Sequence, residues 1–271
     1  ITGNYSMDQR SKKLRKTVVD IISVERRGHF GPAMSSIEIL RVLFDNFLQF
    51  RSSQPEWSER DRFILSKGHG CLSLYSILED KGFFSKEELL TFCKPDSPFG
   101  GHPDRGKVSG VEASTGALGH GLPIGVGIAL AAKIKQKSHR VVVLTGDGEL
   151  NEGSVWEAAL SAAKHKLCNL TVMIDYNKFQ SYGAISEVLD LEPLVDKWRS
   201  FGFAVEEVDG HDVKALEKLM SKLPLKQNKP SAIICHTIKG KGFDFAEGKI
   251  KWHHKSKISD ADIKLMYQHL L

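Results

Sequence analysis

The stretch that most limits the fold runs from Val141 to Trp156, VVVLTGDGELNEGSVW. A strand-like run, Val141–Thr145, stops at Gly146-Asp147-Gly148, and a helix-like segment, SVWEAALSAAKH, follows. A second strand-like run, Leu170–Asp175, leads to Asn177, which lies thirty positions after Asp147. A crossover of that length sets two parallel strands side by side with their carboxyl ends together.

The rest of the chain repeats the alternation. Met7–Val24 carries Leu14, Val18, Ile21 and Ile22 near helical spacing, and a second helix is expected over Ser35–Phe47 after the interruption RRGHFGPA. DRFILS (Asp61–Ser66) reads as a short strand ending at the glycine turn SKGHG, followed by a helix with Leu72, Leu74, Tyr75 and Leu78. Cys93–Gly121 reads as one long loop, of the kind that is functional or disordered. LPIGVGIALAAKI then begins a small-residue helix, and further strands fall near Phe203–Val208 and Ser231–His236. Ser154 with Glu157 has the form of a capping box. Strands alternating with helices imply an α/β fold: a doubly wound, mostly parallel sheet with helices on both faces and ligands at the carboxyl ends of the strands. Residues 1–6, ahead of Met7, read as an appended segment, and 7–271 as one domain.

Composition narrows the class. The chain is 41% hydrophobic and 26% charged, which suits a soluble globular protein, and no apolar run is long enough to span a membrane. Cys71, Cys93, Cys168 and Cys235 form no CxxC pair and read as reduced, mostly buried thiols of a cytoplasmic protein. The net charge of +5 gathers late: twelve lysines and six acids lie from Asp212 onward. That stretch has no arginine and no recognition motif, so it reads as a solvated face rather than a nucleic-acid surface.

Asp147 and Asn177 would face one small volume beyond the sheet edge. Hard oxygen donors on neighbouring strand ends suit Mg²⁺, which completes its shell with water and phosphate. A dication there lets an anionic diphosphate approach Asp147, and Gly146 and Gly148 allow the backbone close. A lone Gly-Asp-Gly is an ordinary turn; with an asparagine ending the next strand it matches a thiamine-diphosphate fingerprint. Four of the eleven histidines sit in loops, His29, His69, His102 and His253, and suggest a shared anionic or polyhydroxylated ligand. His139, His165 and His269 read as surface residues.

SKGHG, GGHP, STGALGHG, TGDGELNEGSVWEAA, DYN and IKGKG…KWH occur in the order and spacing found in transketolases. From Met7 to His253 the chain resembles the amino-terminal, diphosphate-binding half of that family. The resemblance implies a thiamine-diphosphate-binding fold in which Asp147, Asn177 and the carbonyl of Phe179 hold Mg²⁺, a position Ca²⁺ or Mn²⁺ could also take. It gives thiamine diphosphate to His69, Gly148, Asn177, Lys239, His253 and the turn Gly116-Ala117-Leu118, which opens a helix. His29, His102 and His253 would face the sugar and move protons as its carbon–carbon bond breaks. His253 matches by position, while His254 stands where the family commonly has glycine. Glu152 is similar to a glutamate that links two active sites across a subunit interface; read from the residues alone, it is a first-turn helix acid favoured by the dipole. Phe30 stands where proline is usual, and Arg26-Arg27 replace small residues, which points to a differently charged pocket entrance and a substrate other than the ordinary pentose phosphates.

The family activates its cofactor with a glutamate from a second, pyrimidine-binding domain, and that domain is missing from this sequence. The resemblance therefore implies a split transketolase. A separate carboxyl-terminal subunit would supply that glutamate in an α2β2 heterotetramer, transferring a two-carbon ketol unit between sugar phosphates. Other readings are the α subunit of a 2-oxoacid dehydrogenase, deoxyxylulose-phosphate synthase (normally one long chain), and a non-catalytic scaffold or regulator.

Overall fold

Among the described residues, five strands form one wholly parallel sheet in the order β1-β2-β3-β5-β4: β1 Arg62–Leu65, β2 Val141–Gly146, β3 Leu170–Tyr176, β4 Ala204–Asp209 and β5 Ser231–His236. The computed structural model describes residues 7–271, so the reading of residues 1–6 lies outside the described residues. The helices are α1 Gln9–Glu25, α2 Phe30–Ser35, α3 Ile37–Val42, α4 Cys71–Asp80, α5 Lys86–Leu89, α6 Gly121–Ile134, α7 Gly153–Lys164, α8 Ile185–Val188, α9 Leu194–Ser200, α10 Val213–Met220 and α11 Asp260–Gln268.

Every residue of β2, β3 and β5 is buried, because alternate side chains enter two separate cores. Val142, Leu144, Met173, Ile233 and Cys235 pack with α1–α4, α10 and α11 on one face. Val141, Val143, Val172, Ile174 and Ile234 pack with α6, α7 and Trp198 of α9 on the other. The doubly wound arrangement follows from handedness: β3 crosses to β4 by way of α9, and β4 returns to β5 by way of α10 on the opposite face.

The expected second helix begins earlier than its sequence suggests. Phe30–Ser35 is already helical, with Pro32 in its first turn, where a missing N–H is harmless. The expected loop over Cys93–Gly121 carries no helix or strand except that Gly121 already opens α6. It is nonetheless anchored: Phe99, Val108 and Val111 are buried, Tyr75 Oη donates to the carbonyls of Gly100 and His102, and Thr115 Oγ1 donates to the Leu65 carbonyl at 2.7 Å. The capping box is not formed. Glu152 takes the N-cap position of α7, and Ser154 Oγ donates to the Gly119 carbonyl at 2.8 Å. His139 is buried rather than superficial, and His269 is half-buried against Phe245; only His165 of those three is exposed. No helix among the described residues is long and apolar enough to cross a membrane.

Candidate functional site at the strand carboxyl ends

The carboxyl ends of β1, β2, β3 and β5 deliver Lys67-Gly68-His69, Asp147, Asn177 and Lys239 to one place. A cavity of about 300 Å³ opens there, lined by His29, His69, Asp147, Asn177, Phe179 and Lys239. Gly116, Leu118, Gly148, His253 and His254 complete much of its wall. Ala117, by contrast, is exposed and outside that wall, and the turn precedes α6 rather than opening it, since His120 is the helix's N-cap. Glu152 is exposed on the outside of the molecule, beside Gly119. A larger cleft of about 870 Å³ lies against Arg15, Glu38 and His211 and contains none of the residues singled out from the sequence.

Asp147 is buried, and its carboxylate accepts from the amides of Gly148, at 2.8 Å, and Lys178. Burial and the neighbouring Asp175 carboxylate push its carboxyl up, with Lys239 opposing them. Asn177 Oδ1 accepts from the Phe179 amide at 3.2 Å, and Lys239 Nζ donates to the Phe179 carbonyl at 2.7 Å. Lys239 is itself buried, which draws its ammonium below the ordinary lysine range.

The loop histidines converge. Ring centroids of His69, His102 and His253 lie 5.5, 5.9 and 5.6 Å from that of His29, and His254 lies 4.5 Å away. Burial, compounded by nearby positive groups, lowers His29 to about 4 and His253 to about 3, and it takes His69 well below its usual range. All three are therefore neutral at pH 7 and can accept as well as donate a proton. His102 is exposed and is not among the residues lining the cavity, although its ring neighbours that of His29; it is lowered by burial alone. Both members of the His253-His254 pair reach the cavity: His253 Nδ1 sits 2.8 Å from Lys239 Nζ, while His254 is exposed at the mouth.

Losing proline after His29 does not turn that histidine away. Phe30 is fully buried against Phe243 and Trp252 and so anchors the start of α2 from behind. Neither residue of the arginine pair lines the cavity: Arg26 closes α1, donates to the Ser23 carbonyl and pairs with Asp260, while Arg27 is exposed.

Sequence reasoning missed the buried groups beneath the site. Asp175 accepts from Lys67 Nζ, Ser35 Oγ and Thr237 Oγ1, which hold it below the usual carboxylate range although burial alone would raise it. Glu149 accepts from Ser66 Oγ and from the amides of Gly119 and Gly146, tying β1, the 116–119 turn and β2 together. The available signal was a carboxylate closing an otherwise apolar strand (Asp175) and a second acid two residues past Asp147 (Glu149).

The residues fit a metal-bound diphosphate. Oxygen ligands of Asp147, Asn177 and Phe179 adjoin a buried lysine and several histidines, and Gly148, crossed by the Gln180 side chain, lies in the same wall. One buried donor in the wall, Gln180 Nε2, has no partner among the described residues.

Comparison with known proteins supports the diphosphate-binding reading. Residues 7–270 match the family described as "Transketolase, thiamine diphosphate binding domain". An apulose-4-phosphate transketolase subunit from Phocaeicola vulgatus is 40% identical over 249 residues, covering 92% of this chain and 88% of that protein. The 6-deoxy-6-sulfo-D-fructose transketolase subunit SqwG of a Clostridium species is 38% identical over 248 residues, covering 92% and 90%. A solved transketolase variant from Pichia stipitis superposes with a TM-score of 0.91 at 30% identity, covering 97% of this chain, which spans 40% of that one. The chain therefore belongs to the transketolase family, as a chain of the subunit type built around the family's thiamine diphosphate binding domain.

Proposed function

We propose that this chain, as one domain, is the diphosphate-binding subunit of a two-chain transketolase, moving a two-carbon ketol unit from a ketose donor to an aldose acceptor. The observation that carries it is the meeting of Asp147, Asn177, the Phe179 carbonyl and Lys239 with His29, His69 and His253 in one cavity. Asp147, Asn177 and Phe179 would hold Mg²⁺; Lys239, His69, Gly148 and the turn at Gly116 and Leu118 would hold the diphosphate. Bound thiamine diphosphate supplies the electron sink for carbon–carbon cleavage. His29, His102 and His253 accept and return protons at the sugar hydroxyls, which their neutral state favours.

The substrate is an anionic keto sugar, in keeping with relatives named for apulose-4-phosphate and 6-deoxy-6-sulfo-D-fructose. The partner is a pyrimidine-binding subunit that brings the catalytic glutamate, in a cytoplasmic assembly of two copies of each. Exposed Ile124 on α6 and Leu160 on α7, with exposed Glu152 at the start of α7, support a subunit contact on that face. Ketol transfer is expected only when the purified chain is mixed with its partner; full activity from this chain alone would sink the two-chain claim.

A further inference from the structure

We infer that Gln180 is a cofactor-binding residue whose side-chain amide donates from Nε2 to an oxygen of the diphosphate. The inference rests on the cofactor reading above and adds a contact from the loop just beyond Phe179.

The starting point is an unmet need. Gln180 Nε2 is buried and has no hydrogen-bond partner among the described residues. A buried primary amide is normally satisfied, and an orphaned one calls for an explanation. Two other buried donors share that state, but they lie elsewhere: Trp198 within the core under β3, and His139 beside Asp61 and Arg62. Gln180 alone of the three lines the cavity.

Its position selects the partner. The side chain lies across Gly148: a Cβ added to that glycine would stand 2.9 Å from Gln180 Cγ and 3.3 Å from Cδ. A glycine at 148 therefore makes room for the glutamine, and the amide is carried to the strand end that presents Asp147. The loop fixes it there, since the Gln180 backbone N–H donates to the Gly183 carbonyl at 2.9 Å. What is absent is an acceptor. The buried carboxylates nearby are already taken up: Asp147 by two amides, Glu149 by Ser66 and two amides, and Asp175 by Lys67, Ser35 and Thr237. A diphosphate held through a metal on Asp147 brings several acceptor oxygens to the same strand end, and a neutral donor suits one of them without adding charge.

Calorimetry on the full chain with its partner subunit present, in Mg²⁺, tests this with two ligands: thiamine diphosphate and free diphosphate. Gln180→Met keeps the length and loses the donor, and is expected to weaken both ligands about tenfold. Gln180→Glu, which puts an anion in the same place, is expected to weaken both further. The melting temperature of ligand-free Gln180→Met should not fall, because the amide satisfies nothing in the fold. Unchanged affinities would overturn the inference, and so would a drop in melting temperature with unchanged affinity. Loss confined to thiamine diphosphate would move the contact to the organic part of the cofactor and overturn the diphosphate assignment. Failure of the unaltered protein to bind either ligand would instead sink the cofactor reading itself.

Discussion

Lys239 donates through Nζ to the carbonyl oxygen of Phe179 at 2.7 Å, so a buried ammonium sits against the backbone oxygen expected to ligate a metal. The lysine also acts electrostatically on Asp147, and its own charge is disfavoured by burial. It thus serves as the site's internal cation. A metal arriving at Asp147 and Phe179 would release the ammonium toward diphosphate. Lys239→Met should weaken thiamine diphosphate binding at least tenfold while tightening Mn²⁺ binding in the absence of diphosphate. Parallel weakening of both, read by calorimetry and by electron paramagnetic resonance of Mn²⁺, would refute this exchange.

Asp147 is held at a cost to the fold. Its carboxyl is raised above its unfolded value by burial and by Asp175, so its charged form destabilises the metal-free chain at pH 7. Asp147→Asn is expected to raise the melting temperature measured in EDTA and to abolish Mg²⁺-dependent binding of thiamine diphosphate. A variant that melts lower while binding normally would contradict both halves.

The neutral histidines predict a stability change with a definite sign. Unfolded histidines protonate near 6.5, whereas His29 and His253 protonate only at about 4 and about 3 in the fold. Below 6.5 the unfolded chain therefore takes up more protons, and stability falls as pH drops from about 6.5 toward 4. The His29 ring resonance in a proton NMR titration should move near pH 4; a midpoint near 6.5 would show the ring to be solvated.

A second acid-sensitive element lies behind the site. Glu38 accepts from Arg15 at 2.5 and 3.0 Å and from His211 Nδ1 at 2.9 Å, while His211 Nε2 accepts from the amide of Ile238, the residue before Lys239. Burial would raise Glu38, but Arg15 and His211 hold it well below the carboxylate range. Its contribution is complete above the unfolded value of about 4.3 and is lost as pH falls further. Glu38→Gln leaves Arg15 partly unpaired, so it should lower denaturation stability by about 3–5 kcal/mol at pH 7 and flatten the acid limb.

By itself the sequence determined the sheet, because parallel strands buried on both faces must be short continuous apolar runs. β2 and β3 were therefore visible, and so were Asp147 and Asn177 at their ends. It also marked the histidines outside regular elements, because glycine-rich turns such as the one at His69 after β1 announce themselves locally. The tertiary structure decided what those turns meet. β5 lies between β3 and β4, and that placement brings Lys239 to Phe179, sixty positions apart. Asp175 and Glu149 could be read as ordinary acids at and just past strand ends until Lys67 and Ser66, from the turn after β1, arrived beside them. Ser154 could accept from the helix backbone, as in a capping box, or donate elsewhere, and the 116–119 turn, by packing against α7, gave it the Gly119 carbonyl as acceptor. Periodicity and turn chemistry act over a few residues and survive in the sequence; the pairing of buried polar groups depends on which strand ends become neighbours, and only the folded chain settles that.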